Sequence, residues 1–351
     1  GMTPADFVSF CRKIASRTGL DEEWLIFGGD HLGPLVWSAE EEEAAMEKAE
    51  ALVRAYAAAG VQKIHIDASM RLGSDDPQAP LDPAVVARRA ARLCRAAEEA
   101  RPEGELPLYV VGSEVPIPGG ATEAEDGISV TRGEDLRNEY ELFKSAFLRQ
   151  GLDDAWTRVI AVVVQPGVEF GDDQVFLYNR SNAAELIACA RTLEGIVLEG
   201  HSTDYQSARA LREMREDGIA ILKVGPALTY AFREALFALE RIEREMNPCA
   251  PAGGYSDFSA VLDRVMCQNP GNWIKHYHGE PYRVALMRKY SLSDRSRYYL
   301  DNPEVQDATR RLFRNFNAAP CPTGLLAQFL PRQAEAIIAG TLHTSAQPIL
   351  N

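Results

Sequence analysis

Lys63-Ile64-His65-Ile66-Asp67-Ala68-Ser69 alternates: His65, Asp67 and Ser69 share one face, and Ile64, Ile66 and Ala68 share the other. An apolar face turned toward covering helices and a polar face near a common mouth is the pattern of a strand in a closed parallel barrel. Five further apolar runs end on residues that bind metals or move protons. They are Leu25-Ile-Phe-Gly-Gly-Asp30-His31, Leu108-Tyr-Val-Val-Gly-Ser-Glu114, Val159-Ile-Ala-Val-Val-Val-Gln165, Ile196-Val-Leu-Glu199-Gly-His201 and Ile219-Ala-Ile-Leu-Lys223. The same parity separates Glu199 and His201 from Ile196 and Leu198.

Helical segments lie between these runs. Thr3-Pro4 supplies a cap and a first-turn proline, and Asp82-Pro83 does the same before Val86, Ala90, Leu93, Cys94 and Ala97. Ser38 precedes a stripe of Ala45, Met46, Ala49, Leu52, Val53 and Tyr56 that Gly60 closes, and Asp204 is expected to open a helix running to Gly218. Repeated βα units require a parallel sheet under helices, either a (β/α)8 barrel or an open doubly wound sheet. No Gly-x-Gly-x-x-Gly follows a strand and no Gly-Lys dipeptide occurs, so the nucleotide signatures of the open sheet are missing and parity favours the barrel.

The expected fold is therefore an α/β (β/α)8 TIM barrel with a helical C-terminal extension. Only six strands are visible, and the expectation is that the first two βα units precede Gly1. Residues 1–241 would hold barrel strands three to eight. Residues 242–351, rich in aromatic side chains from Trp273 to Tyr299, would form the extension and pack on the barrel. The stretch from Val115 to Gly127 is rich in Gly and Pro and reads as a long loop at the mouth, a lid or metal-adjacent segment.

A net charge of −14 and a pI near 5.0 disfavour nucleic acid and anionic membrane as partners, because both are bound through Lys and Arg. No apolar stretch approaches the roughly 20 residues of a membrane span, and a cytoplasmic location is expected. The six cysteines show no zinc-ribbon spacing and read as free thiols.

The strand ends carry the chemistry. Asp30 and His31 offer a carboxylate and an imidazole, one to hold a divalent ion and the other to move a proton. His201 is a second ligand candidate, and Glu114 a third ligand or a base. His65 and Asp67 point inward, where an isolated charge is costly unless paired or coordinated. Lys223 reads as an ion-pair partner of Asp67 or Glu199, a contact to a substrate oxygen, or a Schiff-base lysine. Gln165 suits a sugar hydroxyl. Ser291, Ser293, Arg295 and Arg297 collect hydroxyls and guanidinium groups suited to a phosphate, or else form an exposed basic turn.

Read together with Phe27-Gly-Gly-Asp30-His31-Leu-Gly-Pro34, Glu114-Val-Pro-Ile-Pro-Gly-Gly120, Val164-Gln-Pro-Gly-Val-Glu-Phe170, Gly200-His-Ser-Thr-Asp-Tyr-Gln206, Leu222-Lys-Val-Gly-Pro-Ala-Leu-Thr229 and Tyr290-Ser-Leu-Ser-Asp-Arg295, the alternating run resembles the Z subunit (GatZ/KbaZ) family of class II D-tagatose-1,6-bisphosphate aldolase, in order along nearly the whole chain. The resemblance implies a (β/α)8 barrel from galactitol, tagatose or N-acetylgalactosamine catabolism that supports a catalytic aldolase Y subunit. Some relatives look like metal-dependent epimerases interconverting tagatose 6-phosphate and fructose 6-phosphate. A stand-alone aldolase is a third reading, and the family's kinase label is unsupported without a phosphate loop. By similarity to the catalytic zinc aldolases, Asp30 would be the acid/base; Asp67 as an alternative proton carrier and Lys223 as a further catalytic group are read from their own inward positions. His31, Glu114 and His201 would hold a divalent metal, zinc in the first instance, with manganese or magnesium as alternatives. His65, Gln165, Glu199, Ser291, Ser293, Arg295 and Arg297 are left to bind a sugar phosphate. Gln165 stands where those aldolases carry another histidine. A homo-oligomer is compatible with all of these readings.

Overall fold

The computed structural model describes residues 2–112 and 128–346. Glu114 and the loop from Val115 to Gly127 lie outside them. The strands are β1 (Gly28–Leu32), β2 (Lys63–Ile66), β3 (Leu108–Val111), β4 (Val159–Val164), the short ribbon β5 (Glu169–Phe170) and β6 (Val175–Phe176), β7 (Val197–Gly200) and β8 (Ile219–Leu222). All six apolar runs form strands of one parallel sheet, in the order β1-β2-β3-β4-β7-β8. Strand order follows chain order without reversal, so the sheet has no switch point of the kind that defines a doubly wound fold.

The chain divides into two compact units. The first holds the sheet, with residues up to 112, 128–169 and 176–223; the second holds residues 170–175 and 224–346.

In the first unit, Ile64, Ile66, Tyr109, Val111, Val162, Val164, Leu198 and Ile219 belong to the main core. That core is shared with α2 (Glu42–Ala58), α3 (Pro83–Ala100), α4 (Gly133–Arg149), α5 (Asp153–Trp156) and α6 (Ala184–Ala190). On α2 the buried positions are Ala45, Met46, Ala49, Val53 and Ala57, one stripe at helical spacing. The opposite strand positions, Val110, Ala161 and Val163, form a separate small apolar cluster. His65 and Glu199 follow the parity of that second face, which puts the polar residues and the helix-covering residues on opposite sides of the sheet.

Local signals explain most boundaries. Thr3 caps α1 (Pro4–Thr18) in a reciprocal box with Asp6, and the Asp82 side chain accepts from the Ala84 amide at the start of α3. Two starts differ from the sequence reading. The stripe after Ser38 begins only at Glu42, because Ser38 closes a short 3-10 turn, Leu35–Trp37. The helix α7 (Ala208–Glu216) is capped by Ser207, whose hydroxyl accepts from the Ala210 amide; Asp204 lies before it, in a segment where Ser202 and Tyr205 have positive φ.

The second unit is helical: α8 (Pro226–Met246), α9 (Phe258–Gln268), α10 (Pro281–Tyr290), α11 (Pro303–Phe316), α12 (Thr323–Phe329) and α13 (Pro331–Ile338). Its core is built from Leu236, Leu239, Ile242, Phe258, Leu262, Met266, Leu312, Phe316 and Leu326. The six cysteines are free, and no helix among the described residues is long and apolar enough to cross a membrane.

Candidate metal centre at the strand ends

The end of β1 is irregular where chemistry gathers. Gly28 and Gly29 pair with Lys63 and Ile64, but Leu32 pairs with Ile66, so β1 carries one extra residue between Gly29 and Leu32. A bulge re-aims side chains. Strict alternation would send Asp30 and His31 to opposite faces, yet Asp30 meets Lys63 and Lys223 while His31 meets Asp67 and Lys223. His31 holds φ +52°, a left-handed conformation that costs a non-glycine residue about 1–3 kcal/mol and that recurs at functional sites. Gly33 follows because the Asp67 carbonyl comes so close that a Cβ there would sit 1.6 Å from its oxygen.

Three imidazoles face one another edge to face. Their centroids are 5.0 Å apart for His31 and His65, 5.3 Å for His31 and His201, and 5.5 Å for His65 and His201. The fully buried Glu199 carboxylate joins them: Oε1 lies 2.9 Å from His201 Nε2 and 3.9 Å from His65 Nδ1. His65, Glu199 and His201 each offer one ligand atom within 4.8 Å of the others, all from buried side chains, so the trio could hold a metal ion. Among the described residues the buried His65 Nε2 has no hydrogen-bond partner. Around the trio, three carboxylates (Asp30, Asp67, Glu199) stand against two ammonium groups (Lys63, Lys223), an excess of one negative charge before any on the imidazoles. Two imidazoles, a carboxylate and surplus negative charge suit a divalent cation.

Burial and neighbours set the protonation states. Burial, then the Lys223 ammonium, pushes His65 down to about 3, and burial also lowers His201, so both rings are neutral and able to ligate. Burial opposes ionisation of Glu199, but the His201 contact and Lys63 overcome it and hold the carboxyl down to about 2. Asp67 is likewise held down to about 2: against burial it receives His31 Nδ1 at 3.1 Å on Oδ2, and the Ser69 hydroxyl and amide on Oδ1. Burial lowers Lys223, whose Nζ lies 3.0 Å from His31 Nε2 and 3.5 Å from Asp30 Oδ1. Lys63 is raised, because Glu199 and Asp30 outweigh burial.

Of the residues singled out from sequence, Asp30, His31, His65, Asp67, Glu199, His201 and Lys223 converge here. Gln165 is turned into its own loop: its Oε1 accepts from the Gly167 and Val168 amides, and its backbone pairs with Thr131. Ser291, Ser293, Arg295 and Arg297 belong to the second unit. There the two serine hydroxyls donate to Asp172 at 2.6 and 3.1 Å, Arg295 Nε donates to the Asn272 carbonyl, and Arg297 donates to the carbonyls of Ser293 and Asp294. Lys63 escaped the sequence reading, although its odd position beside His65 and Asp67 was a usable signal.

Fold and site together define an α/β protein of consecutive parallel βα units whose strand ends gather acids, bases and imidazoles. The comparisons make this specific. The whole chain, residues 1–351, matches the family described as D-tagatose-1,6-bisphosphate aldolase subunit GatZ/KbaZ-like, and it belongs to that family. Over 344 residues it is 46% identical to the D-tagatose 6-phosphate 4-epimerase of Agrobacterium fabrum, covering 97% of this chain and 79% of that one. It is 47% identical over 344 residues to the D-tagatose-1,6-bisphosphate aldolase subunit GatZ of Salmonella paratyphi B, covering 97% and 80%. A crystal structure described as a probable tagatose 6 phosphate kinase from Sinorhizobium meliloti 1021 superposes with a TM-score of 0.88 at 40% identity, over 100% of this chain and 85% of that one.

Proposed function

We propose that this chain acts on phosphorylated ketohexoses of the D-tagatose series, and that its strand-end pocket is a working site for inversion at C4. The observation that carries the reading is the convergence of the buried His65, Glu199 and His201 with Lys63, Lys223 and the exposed Asp30 in one cluster. A protein kept only as a scaffold has no need of so many ionised side chains and imidazoles gathered at one strand end, where desolvating them is costly unless they serve a ligand.

The fold behind this reading is a (β/α)8 barrel of which the six strands are consecutive units, three to eight in the family's count. Its units would span residues 1–241, with a helical extension over 242–351. Sequential parallel order, helix-facing and inward residues split by parity, and the 0.88 superposition support it.

In a 2-ketose the C4 hydroxyl lies β to the carbonyl, so inversion there is open to cleavage of the C3–C4 bond and re-addition to the other face of the aldehyde. One base takes the C4 hydroxyl proton and returns it, and no proton is gained or lost overall. Asp30 is the group we assign to this transfer. Its side chain is 42% exposed, whereas both oxygens of Asp67 are engaged by His31 and Ser69. Asp67 then orients His31, and Lys223 donates to a substrate oxyanion. A divalent ion held by His65, Glu199 and His201, with His31 and Glu114 as further donors from the sequence reading, would supply Lewis-acid polarisation of the ketose oxygens. The two-imidazole donor set favours zinc over manganese or magnesium.

The GatZ-named relatives favour a second reading, in which the chain supports a catalytic aldolase subunit. The same C3–C4 cleavage underlies both. Offering tagatose 6-phosphate and tagatose 1,6-bisphosphate to the purified protein, with and without added zinc or manganese, separates them. Fructose 6-phosphate from tagatose 6-phosphate supports the epimerase. No product alone, but a rise in the activity of an added catalytic subunit, supports the second reading and refutes the first. Dihydroxyacetone phosphate and glyceraldehyde 3-phosphate accumulating from tagatose 1,6-bisphosphate with the chain alone, and no fructose 6-phosphate from tagatose 6-phosphate, refute both.

A further inference from the structure

One charged group in the pocket has no task in the reaction above. Lys63 is the first residue of β2, and its stem runs beside Gly28, where a Cβ would come within 3.9 Å of the lysine Cβ and Cδ. Its ammonium lies 2.9 Å from Glu199 Oε2 and 3.1 Å from Asp30 Oδ1, with the side chain only 17% exposed. The other Glu199 oxygen, Oε1, faces His201 at 2.9 Å. The two oxygens of one fully buried carboxylate therefore face separate groups: Oε1 contacts His201, and Oε2, which makes no hydrogen bond among the described residues, is ion-paired with Lys63.

We infer that Lys63 is a positioning residue: it pins Glu199 through Oε2, restricts that carboxylate to one-oxygen ligation through Oε1, and anchors Asp30 to the same point. This rests on the reading of the pocket as a metal centre. A buried carboxylate free to rotate could offer either oxygen or both. A fixed ammonium on one side removes that freedom, as partners behind metal ligands do generally, and their loss weakens metal affinity about 10- to 100-fold. Lys63 also ties β2 to β7 and β1, so the ligand carboxylate and the exposed base keep a constant separation.

The test uses the full chain with cobalt(II) as the probe, in wild type, Lys63→Met and Lys63→Arg. Lys63→Met should raise the Kd for cobalt about tenfold or more and change its visible d–d spectrum, and Lys63→Arg should recover most of both. A Lys63→Met protein with wild-type affinity and spectrum overturns the inference. A second arm needs no metal. Lys63→Met removes the nearer ammonium from the buried Glu199 and leaves it Lys223, 3.8 Å from Oε1, so it should lower Tm, and adding Glu199→Gln should restore part of the loss. If wild type binds no cobalt, the metal reading fails and this arm decides Lys63. A double variant no more stable than Lys63→Met shows that the ammonium does not hold Glu199.

Discussion

Replacing Gly33 with alanine probes the contact on which the pocket is built. The new Cβ would stand 1.6 Å from the Asp67 carbonyl oxygen and 2.8 Å from its carbon, both backbone atoms that no rotamer change can move. Relief requires the β1 turn and the segment after β2 to part by more than about 1 Å, an overpacking cost of about 1–3 kcal/mol. The Asp67 amide donates to the Leu32 carbonyl at 3.1 Å, and stretching that bond adds about 1 kcal/mol. The sum is about 2–4 kcal/mol, measured as the shift in urea-unfolding free energy. The displaced backbone also carries Asp67 away from His31, so any turnover should fall by more than the folded fraction does. Gly271→Ala is the control: nothing lies within 4 Å of its added Cβ, and a change within about 0.5 kcal/mol is expected. A Gly33→Ala protein as stable as that control would refute the geometry of the β1–β2 junction.

Two other perturbations test parts of the first unit. Arg89 is fully buried between Asp75 and Glu42, both held below their usual values: hydrogen bonding to Arg89 leads at Asp75, and the Arg89 and Arg88 contacts overcome burial at Glu42. Because the folded-state values are depressed, this stabilisation is present at neutral pH and is lost as pH falls from the ordinary carboxylate range through the lowered values. Arg89→Met should cost about 2–3 kcal/mol at pH 7 in urea unfolding and less at pH 3; an equal cost at both pH values would contradict the pairing. Gln165→Ala removes the acceptor for two loop amides and should lower stability by about 1–2 kcal/mol in thermal unfolding, whereas an unchanged Tm with a raised KM would show that its amide serves a sugar hydroxyl instead.

Much of the sheet was legible because its signals are local. Each apolar run is short, ends on polar residues and precedes a helical stripe, and alternation in Lys63 to Ser69 is enough to tell the helix-covering face from the other. What alternation could not convey is the bulge in β1, since one extra residue is visible only once its partner strand is in register. That bulge is why Asp30 and His31 reach the same cluster. Distance between chain segments hid other features. Lys63 gains its meaning from Glu199, and the hydroxyls of Ser291 and Ser293 gain theirs from Asp172. Cap assignments erred where several cap-forming residues stand together: Ser202, Thr203, Asp204 and Ser207 all qualify by type, and backbone conformation selects Ser207.

The account turns on whether His65, Glu199 and His201 hold one ion. Elemental analysis of the purified, dialysed protein, paired with the rate of tagatose 6-phosphate conversion before and after chelation, measures this directly. The account predicts close to one equivalent of a divalent metal per chain, its loss in His65→Ala and His201→Ala proteins that remain folded, and activity that chelation abolishes and added metal restores. A metal-free protein that converts the sugar at an undiminished rate in the presence of chelator would contradict it.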